Sequence, residues 1–101
     1  MRTIVFFDLP NIYVRDKRNY IKFRKFLLNE GFIMLQESVY SKLSLNSQQC
    51  QLLIERVRKN SPNKGIIQIL NITEKQYAQM EYIIGCSNTK IIDSEDRLVV
   101  L

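Results

Sequence analysis

The 101-residue sequence contains no histidine and only three glycines. Without an imidazole, the chain can build neither a histidine general base nor a Ser-His-Asp triad, and it lacks a usual ligand of zinc sites. Its glycines, Gly31, Gly65 and Gly85, stand far apart, so they form no loop of the kind that cradles phosphates. These absences exclude histidine-based hydrolases and argue against a nucleotide-hydrolysing domain.

Cysteine is also scarce, and no apolar run is long. The two cysteines, Cys50 and Cys86, match no metal-binding or redox spacing and belong to apolar stretches. We expect both to be buried, reduced thiols, as is typical of a cytoplasmic protein. No segment is long enough to span a bilayer, and the apolar start of the chain is too short for a signal peptide. The sequence therefore predicts a cytoplasmic protein without a membrane partner.

What the sequence does have is an ordinary apolar fraction and an excess of positive charge. The chain is 46% apolar and 25% charged, which is typical of a globular protein, and residues 1–101 suffice for one domain with a modest core. Fifteen lysines and arginines against ten acids give a net charge of +5. Clustered cations bind nucleic acid by displacing condensed counterions, so the charge favours a polyanionic partner over a role in solubility alone.

The first half of the chain alternates between strand-like and helix-like patterns. Residues 3–9 form a β-branched and aromatic run that stops at Pro10, which predicts a buried strand with Asp8 at its C-terminal edge. Over residues 15–30 the apolar positions recur at helical spacing, and Gly31 is suited to end the helix. Residues 32–43 are again strand-like, as one bent strand or as two short paired strands.

The second half repeats this alternation. Asn46 is a suitable N-cap for an amphipathic helix that runs to about Lys59. Residues 66–70 are the clearest strand, and Thr73 begins a capping-box sequence typical of a short helical turn. Two further short strands are predicted, at residues 82–85 and 98–101.

This order of elements predicts an α+β fold, a ferredoxin-like sheet with two helices on one face and extra C-terminal strands. The other face of such a sheet would display apolar side chains, and a second copy of the chain is the simplest cover for it. We therefore expect a homodimer. Residues 98–101 would add an edge strand, either within the chain or on the partner subunit.

The positive charge is concentrated in the first predicted helix and just before it. Six cations lie there with Asp16 as the only interspersed acid: Arg15, Lys17, Arg18, Lys22, Arg24 and Lys25. Arg18, Lys22 and Lys25 share one face by helical spacing, opposite the apolar face. We expect this basic ridge, together with Arg15 and Lys17, to contact a phosphate backbone without reading base sequence. A solvent-exposed face that happens to be basic is the alternative.

A second group of cations closes the second predicted helix. Arg56, Arg58 and Lys59 fall in its last turn, where positive charge stabilises the negative end of the helix dipole without any ligand. For these three residues we favour that structural role.

Asp8 is the strongest single candidate for chemistry. A carboxylate at the edge of an apolar strand is costly to bury unpaired, so it should face solvent, a cation or a hydrogen-bond donor. If a dimer axis brought two copies of Asp8 together, their oxygens could hold a hydrated Mg²⁺, which needs few protein ligands. Capping of the turn at residues 10–11 by the Asp8 side chain is equally compatible with the sequence.

Several segments in a fixed order carry a family resemblance. They are the strand end Phe-Asp-Leu-Pro at residues 7–10, the basic helix closing at residues 30–31, and residues 36–40, 66–74 and 82–85. Together they resemble the small CRISPR-associated adaptation proteins that partner the spacer integrase, which are also described as CRISPR-associated endoribonucleases.

The resemblance implies a ferredoxin-like homodimer in which Asp8 lies near the twofold axis as the catalytic residue and Mg²⁺ ligand. It implies further that the dimer bridges the spacer integrase and holds the duplex DNA that becomes the spacer, with single-stranded RNA as an alternative substrate. Many members have Tyr before the aspartate, whereas this chain has Phe7, which removes a phenolic hydroxyl from the site.

Four functions remain compatible with the sequence, the last of them a plain interaction domain whose positive charge is incidental. The first is a Mg²⁺-dependent endonuclease at paired Asp8 residues, comparable to a toxin-like endoribonuclease. The second is a DNA-binding scaffold that has no chemistry of its own. The third, an RNA-recognition module, would need stacking aromatic residues on the sheet, and residues 66–70 contain none.

Overall fold

Residues 1–86, which the computed structural model describes, alternate between strands and helices. In chain order the elements are β1 (Arg2–Asp8), α1 (Val14–Asn29), β2 (Ile33–Gln36), β3 (Val39–Leu43), α2 (Ser47–Lys59), β4 (Ile66–Ile72) and α3 (Glu74–Ala78). The four strands form one antiparallel sheet in the order β2-β3-β1-β4. This arrangement confirms the predicted α+β, ferredoxin-like fold.

Strand β1 is central and sorts its side chains onto two faces. Val5 stands opposite Tyr40 of β3 and Ile69 of β4, and these three residues belong to or pack against the core cluster. Because side chains alternate along a strand, Phe7 faces the core with Val5, whereas Asp8 points to the opposite side. We call the side that carries Asp8 the outer face of the sheet.

Both long helices cover the same face of the sheet. Helix α1 contributes the buried Phe23 and Leu27, and α2 contributes the buried Leu53 and Val57. Each such side chain, when fully buried, stabilises the fold by about 1.5–3 kcal/mol. Phe7 joins them from β1, with its ring edge-on to Phe23 at a centroid distance of 5.2 Å. The core therefore fixes how α1 lies across the sheet.

The helices begin where side chains cap them. The backbone N–H of Tyr13 donates to Oδ2 of Asp16 at 3.1 Å, and Asp16 is buried. The side chain of Asn46 accepts from the backbone N–H of Gln49 at 2.9 Å, and Thr73 caps α3 in the same way. The predicted caps of α2 and α3 are confirmed, and Asp16 emerges as a helix-start residue rather than as part of the exposed ridge.

Two strand predictions are resolved differently. Residues 32–43 form two paired strands, β2 and β3, joined by a turn at residues 37–38 in which Ser38 takes a φ of 65°. Residues 82–85 are not a strand, so that prediction is wrong. Ile83 and Ile84 are highly exposed and pair with no strand among residues 1–86, and an apolar run becomes a strand only where a sheet edge accepts its hydrogen bonds. The strand predicted at residues 98–101 lies outside the described residues.

The burial predicted for the two cysteines is confirmed for only one of them. Cys50 is buried, as predicted, whereas Cys86 is only half-buried, because it follows the exposed segment around Ile84. Both thiols are free. Among the helices of residues 1–86, none has the length and apolar character needed to cross a membrane.

Candidate functional site

Asp8 lies at the end of β1, on the outer face, and its side chain is exposed. It stands opposite Ile66, the first residue of β4. Within residues 1–86 its carboxylate takes part in no hydrogen bond or ion pair. The side chain therefore does not cap the turn at residues 10–11, and its carboxylate oxygens are open to a ligand.

The backbone at Asp8 is held from the β4 side by Gly65. Gly65 has a φ of +101°, and a β-carbon on this residue would lie 2.7 Å from the carbonyl oxygen of Asp8 and 2.8 Å from Cδ2 of Leu9. Only glycine combines this backbone conformation with so close an approach. The sequence indicated a turn at Gly65, but nothing in it indicated contact with the strand that carries Asp8.

The same strand end is held from the β3 side by the turn at residues 37–38. The backbone N–H of Phe7 donates to the carbonyl oxygen of Ser38 at 3.0 Å. Ser38 occupies the left-handed region at φ 65°, which costs a residue with a β-carbon about 1 kcal/mol. Asp8 is thus placed between two turns with unusual backbone, one on each neighbouring strand.

An open depression of 440 Å³ lies in front of Asp8. Its lining combines residues from β1 and the following loop, from α1 and from the β2–β3 turn: Asp8, Leu9, Asn11, Lys17, Tyr20, Ile21, Glu37 and Ser38. The structure thereby brings together Asp8 and Lys17, two predicted site residues from different elements. It adds Glu37, a second carboxylate whose role sequence reasoning missed, because nothing in the sequence shows that a β-turn meets the end of β1.

The carboxylates at this depression suit a hydrated magnesium ion and are too few for a metal site built from three or more protein ligands. No group of three or more acidic, cysteine or histidine side chains is found among residues 1–86. Mg²⁺ keeps several of its waters and is commonly held by one or two carboxylates. The unpartnered carboxylate of Asp8 at an open depression fits that mode of binding.

The predicted basic ridge is exposed in the structure. The ridge residues Arg18, Lys22 and Lys25 are exposed, and so are the other three cations of this segment, Arg15, Lys17 and Arg24. None of them forms an ion pair or side-chain hydrogen bond with another residue in the described part of the chain. Like charges at helical spacing repel one another, so six cations without ion pairs lower the stability of the fold. Lys17 also lines the Asp8 depression, which joins the ridge to the candidate catalytic residue.

The arginines that close α2 are engaged within the protein. Nη2 of Arg56 lies 2.9 Å from Oε1 of Glu30, at the end of α1, and Arg58 pairs with Glu55 one turn earlier on α2. The structural role predicted for these two arginines agrees with the contacts. Lys59, the third cation, has no ion pair within residues 1–86.

Phe7 does not belong to the lining of the depression. Its ring stacks on Tyr40 at a centroid distance of 5.6 Å and packs against Phe23 in the core. The expectation that Phe7 removes a hydroxyl from the site is therefore wrong for this chain. Alternation along β1 directs residue 7 toward the helices and Asp8 toward the outer face.

The outer face of the sheet is apolar and partly exposed. Its central Ile4 is buried, but four apolar side chains in the flanking strands are at least half exposed: Ile33, Leu43, Ile66 and Leu70. Exposed apolar surface beside Asp8 is what the predicted homodimer would need.

Comparison with known proteins gives a consistent result. The family model described as "CRISPR associated protein Cas2" matches residues 1–80. A relative from Treponema denticola is 52% identical over the full length of both chains, and one from Streptococcus mutans is 50% identical over this whole chain and 93% of its own. A third, from Ligilactobacillus salivarius, is 39% identical over both full lengths. Each of the three is named "CRISPR-associated endoribonuclease Cas2".

Proposed function

Because the chain belongs to the Cas2 family of CRISPR-associated proteins, we propose that it binds nucleic acid along α1 and hydrolyses phosphodiester bonds at Asp8. The observation that carries the proposal is that Lys17, one of six cations in this segment that form no ion pair within residues 1–86, lines the same depression as Asp8, whose carboxylate has no partner. Cations without protein counter-charges suit a phosphate backbone, and a free carboxylate suits a metal ion or a water proton.

The proposed reaction is hydrolysis. A water oxygen forms a bond to phosphorus, the ester P–O bond breaks, and the proton from water ends on the leaving oxygen. A hydrated Mg²⁺ held by Asp8 would supply charge stabilisation and a more acidic water. Lys17, at the rim of the same depression, would attract the phosphate and offset its negative charge. The names of the relatives favour RNA as the substrate, and duplex DNA is the alternative.

The proposal includes a homodimer formed through the outer face. A second copy would cover the exposed apolar side chains of that face, and it would bring the two Asp8 carboxylates toward a common axis. Such a dimer could hold one metal ion between two carboxylates, although each subunit has few ligands of its own.

The biological setting that we propose is spacer acquisition. There the dimer would hold duplex DNA along its two basic ridges and bridge copies of the spacer integrase. We place this activity in the cytoplasm, in line with the location predicted from the sequence.

A gel assay tests binding and cleavage together. Wild-type protein and Asp8→Asn, which keeps the size of the side chain, are incubated with labelled RNA and with labelled duplex DNA, with and without Mg²⁺. We expect wild type to cleave only with Mg²⁺ and Asp8→Asn to bind equally without cleaving. Cleavage by Asp8→Asn at the wild-type rate would refute the catalytic assignment.

A scaffold without chemistry is the second candidate. It is favoured by the small number of potential ligands, since the depression offers only Asp8 and Glu37 as carboxylates. In the same assay a scaffold would shift duplex DNA identically with both proteins, and neither protein would cut.

A further inference from the structure

A small pocket of 140 Å³ lies between α1 and the C-terminal end of α2, away from the Asp8 depression. It is lined by Asn19, Lys22, Lys59, Asn60, Ser61 and Pro62. The lining contains two ammonium groups and no carboxylate. A pocket with this composition favours an anion.

The two lysines are not needed for contacts within the protein. Lys22 and Lys59 are exposed, and neither forms an ion pair with another residue of the described chain. The neighbouring Arg56 and Arg58 are both engaged by glutamates. Lys59 is therefore the one cation in the last turn of α2 that forms no ion pair within residues 1–86.

The end of α2 is also capped without Lys59. Nδ2 of Asn60 donates to the carbonyl oxygen of Arg56 at 2.8 Å, and the hydroxyl of Ser61 donates to the carbonyl oxygen of Val57 at 2.7 Å. The backbone N–H of Asn60 also donates to both of these carbonyl oxygens, at 3.2 Å, so the last turn of α2 has hydrogen-bond donors that do not include Lys59. Capping therefore does not account for the position of Lys59 beside Lys22.

We propose that this pocket binds one phosphate of a nucleic-acid backbone between Lys22 and Lys59, so that the phosphate-binding surface extends from α1 onto α2. The inference rests on the proposed binding of nucleic acid along α1. Lys22 belongs to the basic ridge, so a strand that follows the ridge passes the pocket. No aromatic side chain lines the pocket, which favours a phosphate over a stacked base.

The test is a salt titration of binding. Fluorescence anisotropy with a labelled DNA duplex gives the association constant of each variant at several salt concentrations. The slope of log K against log salt is negative, and each phosphate contact contributes about −0.9 to it. We expect Lys59→Ala to reduce the magnitude of that slope by about 0.9 and to weaken binding about fivefold to tenfold near 0.1 M salt. Lys59→Arg keeps the charge and should retain most of the slope.

Lys75→Ala is the charge-matched control. Lys75 lies in α3, which follows the end of β4 that pairs with Arg2, whereas the pocket lies near the end of β4 that pairs with Asp8. The two ends of this seven-residue strand are about 20 Å apart. Loss of Lys75 should therefore leave the slope unchanged.

The outcomes separate this inference from the proposed function. If wild type binds duplex DNA and Lys59→Ala keeps both the wild-type slope and affinity, the pocket does not bind phosphate and the inference is refuted alone. If Lys59→Ala and Lys75→Ala reduce the magnitude of the slope equally, the effect is one of net charge, which also refutes it. If wild type itself fails to bind, the proposed binding function and this inference both fall.

Discussion

Gly65 lies so close to Asp8 that a β-carbon on residue 65 would stand 2.7 Å from the carbonyl oxygen of Asp8. This contact joins the start of β4 to the residue proposed for catalysis. It makes the position of Asp8 depend on a residue that has no functional group.

Gly65→Ala should destabilise the fold and displace Asp8. The added methyl group would meet backbone atoms that cannot turn away, and a left-handed alanine is strained by about 1–2 kcal/mol before that clash is counted. Gly31→Ala is the matched control, because Gly31 has a φ of +99° but its β-carbon would meet only the flexible side chain of Lys42, with Cε at 3.6 Å and Nζ at 3.7 Å. In urea unfolding, Gly65→Ala should lose more stability than Gly31→Ala. Equal losses of stability in the two variants would show that the close approach of residue 65 to Asp8 does not contribute to the destabilisation.

Two aspartates should differ in how much stability the same substitution costs. Asp8 is exposed without a partner, so Asp8→Asn should change the free energy of unfolding by less than about 0.5 kcal/mol. Asp16 is buried and accepts from the backbone N–H of Tyr13 at the start of α1, so Asp16→Asn should cost about 1 kcal/mol. Urea unfolding compares the two variants. A larger loss for Asp8→Asn would mean that its carboxylate supports the fold.

Removing charge from the basic ridge should weaken binding without weakening the fold. The triple variant Arg18→Ala, Lys22→Ala and Lys25→Ala should reduce the magnitude of the negative slope of log K against log salt by about 2.7, because three phosphate contacts are lost. Its melting temperature should stay the same or rise, since repulsion between like charges is relieved. Anisotropy and thermal unfolding measure the two effects. A large fall in melting temperature would instead assign these side chains a structural role.

Disrupting the outer face should separate subunits. Leu70 is half exposed on this face, in a row with the buried Ile4, so Leu70→Asp would place a charge in the proposed interface. Sedimentation or light scattering should report a dimer for wild type and a monomer for Leu70→Asp. Leu52→Asp is a control, because Leu52 is similarly exposed but lies on α2, at the helical face of the sheet. A monomeric wild type would contradict the dimer directly.

Stability should fall at acid pH partly through Glu74. A side-chain hydrogen bond from Arg2 lowers the pKa of Glu74 below its ordinary value of 4.5, and the two groups are 2.8 Å apart. Because the pKa is lowered in the folded state, this pair contributes stability above pH 4.5 and loses it as the pH falls through the folded value. Glu74→Gln should therefore show a smaller drop in urea midpoint than wild type between pH 6 and pH 3. The difference should shrink in high salt, because the carboxylate is exposed.

Much of the fold was predictable because its signals are local. The caps at Asn46 and Thr73 act on backbone groups three residues away, and the apolar spacing of α1 and α2 reflects one face of each helix. The segment at residues 82–85 shows the limit of such reasoning. Its composition is that of a strand, but a strand exists only where a neighbour accepts its hydrogen bonds, and composition does not show the neighbour.

The candidate site was predictable only in part. The sequence by itself determined that Asp8 ends an apolar strand and that cations cluster on α1, since both follow from residue order and helical period. Only the tertiary structure decided that Gly65 and Ser38 hold the strand end, that Glu37 and Lys17 meet Asp8 at one depression, and that Lys59 stands beside Lys22. These are contacts between elements distant along the chain, and they arise from the way helices and strands pack, which no local pattern encodes.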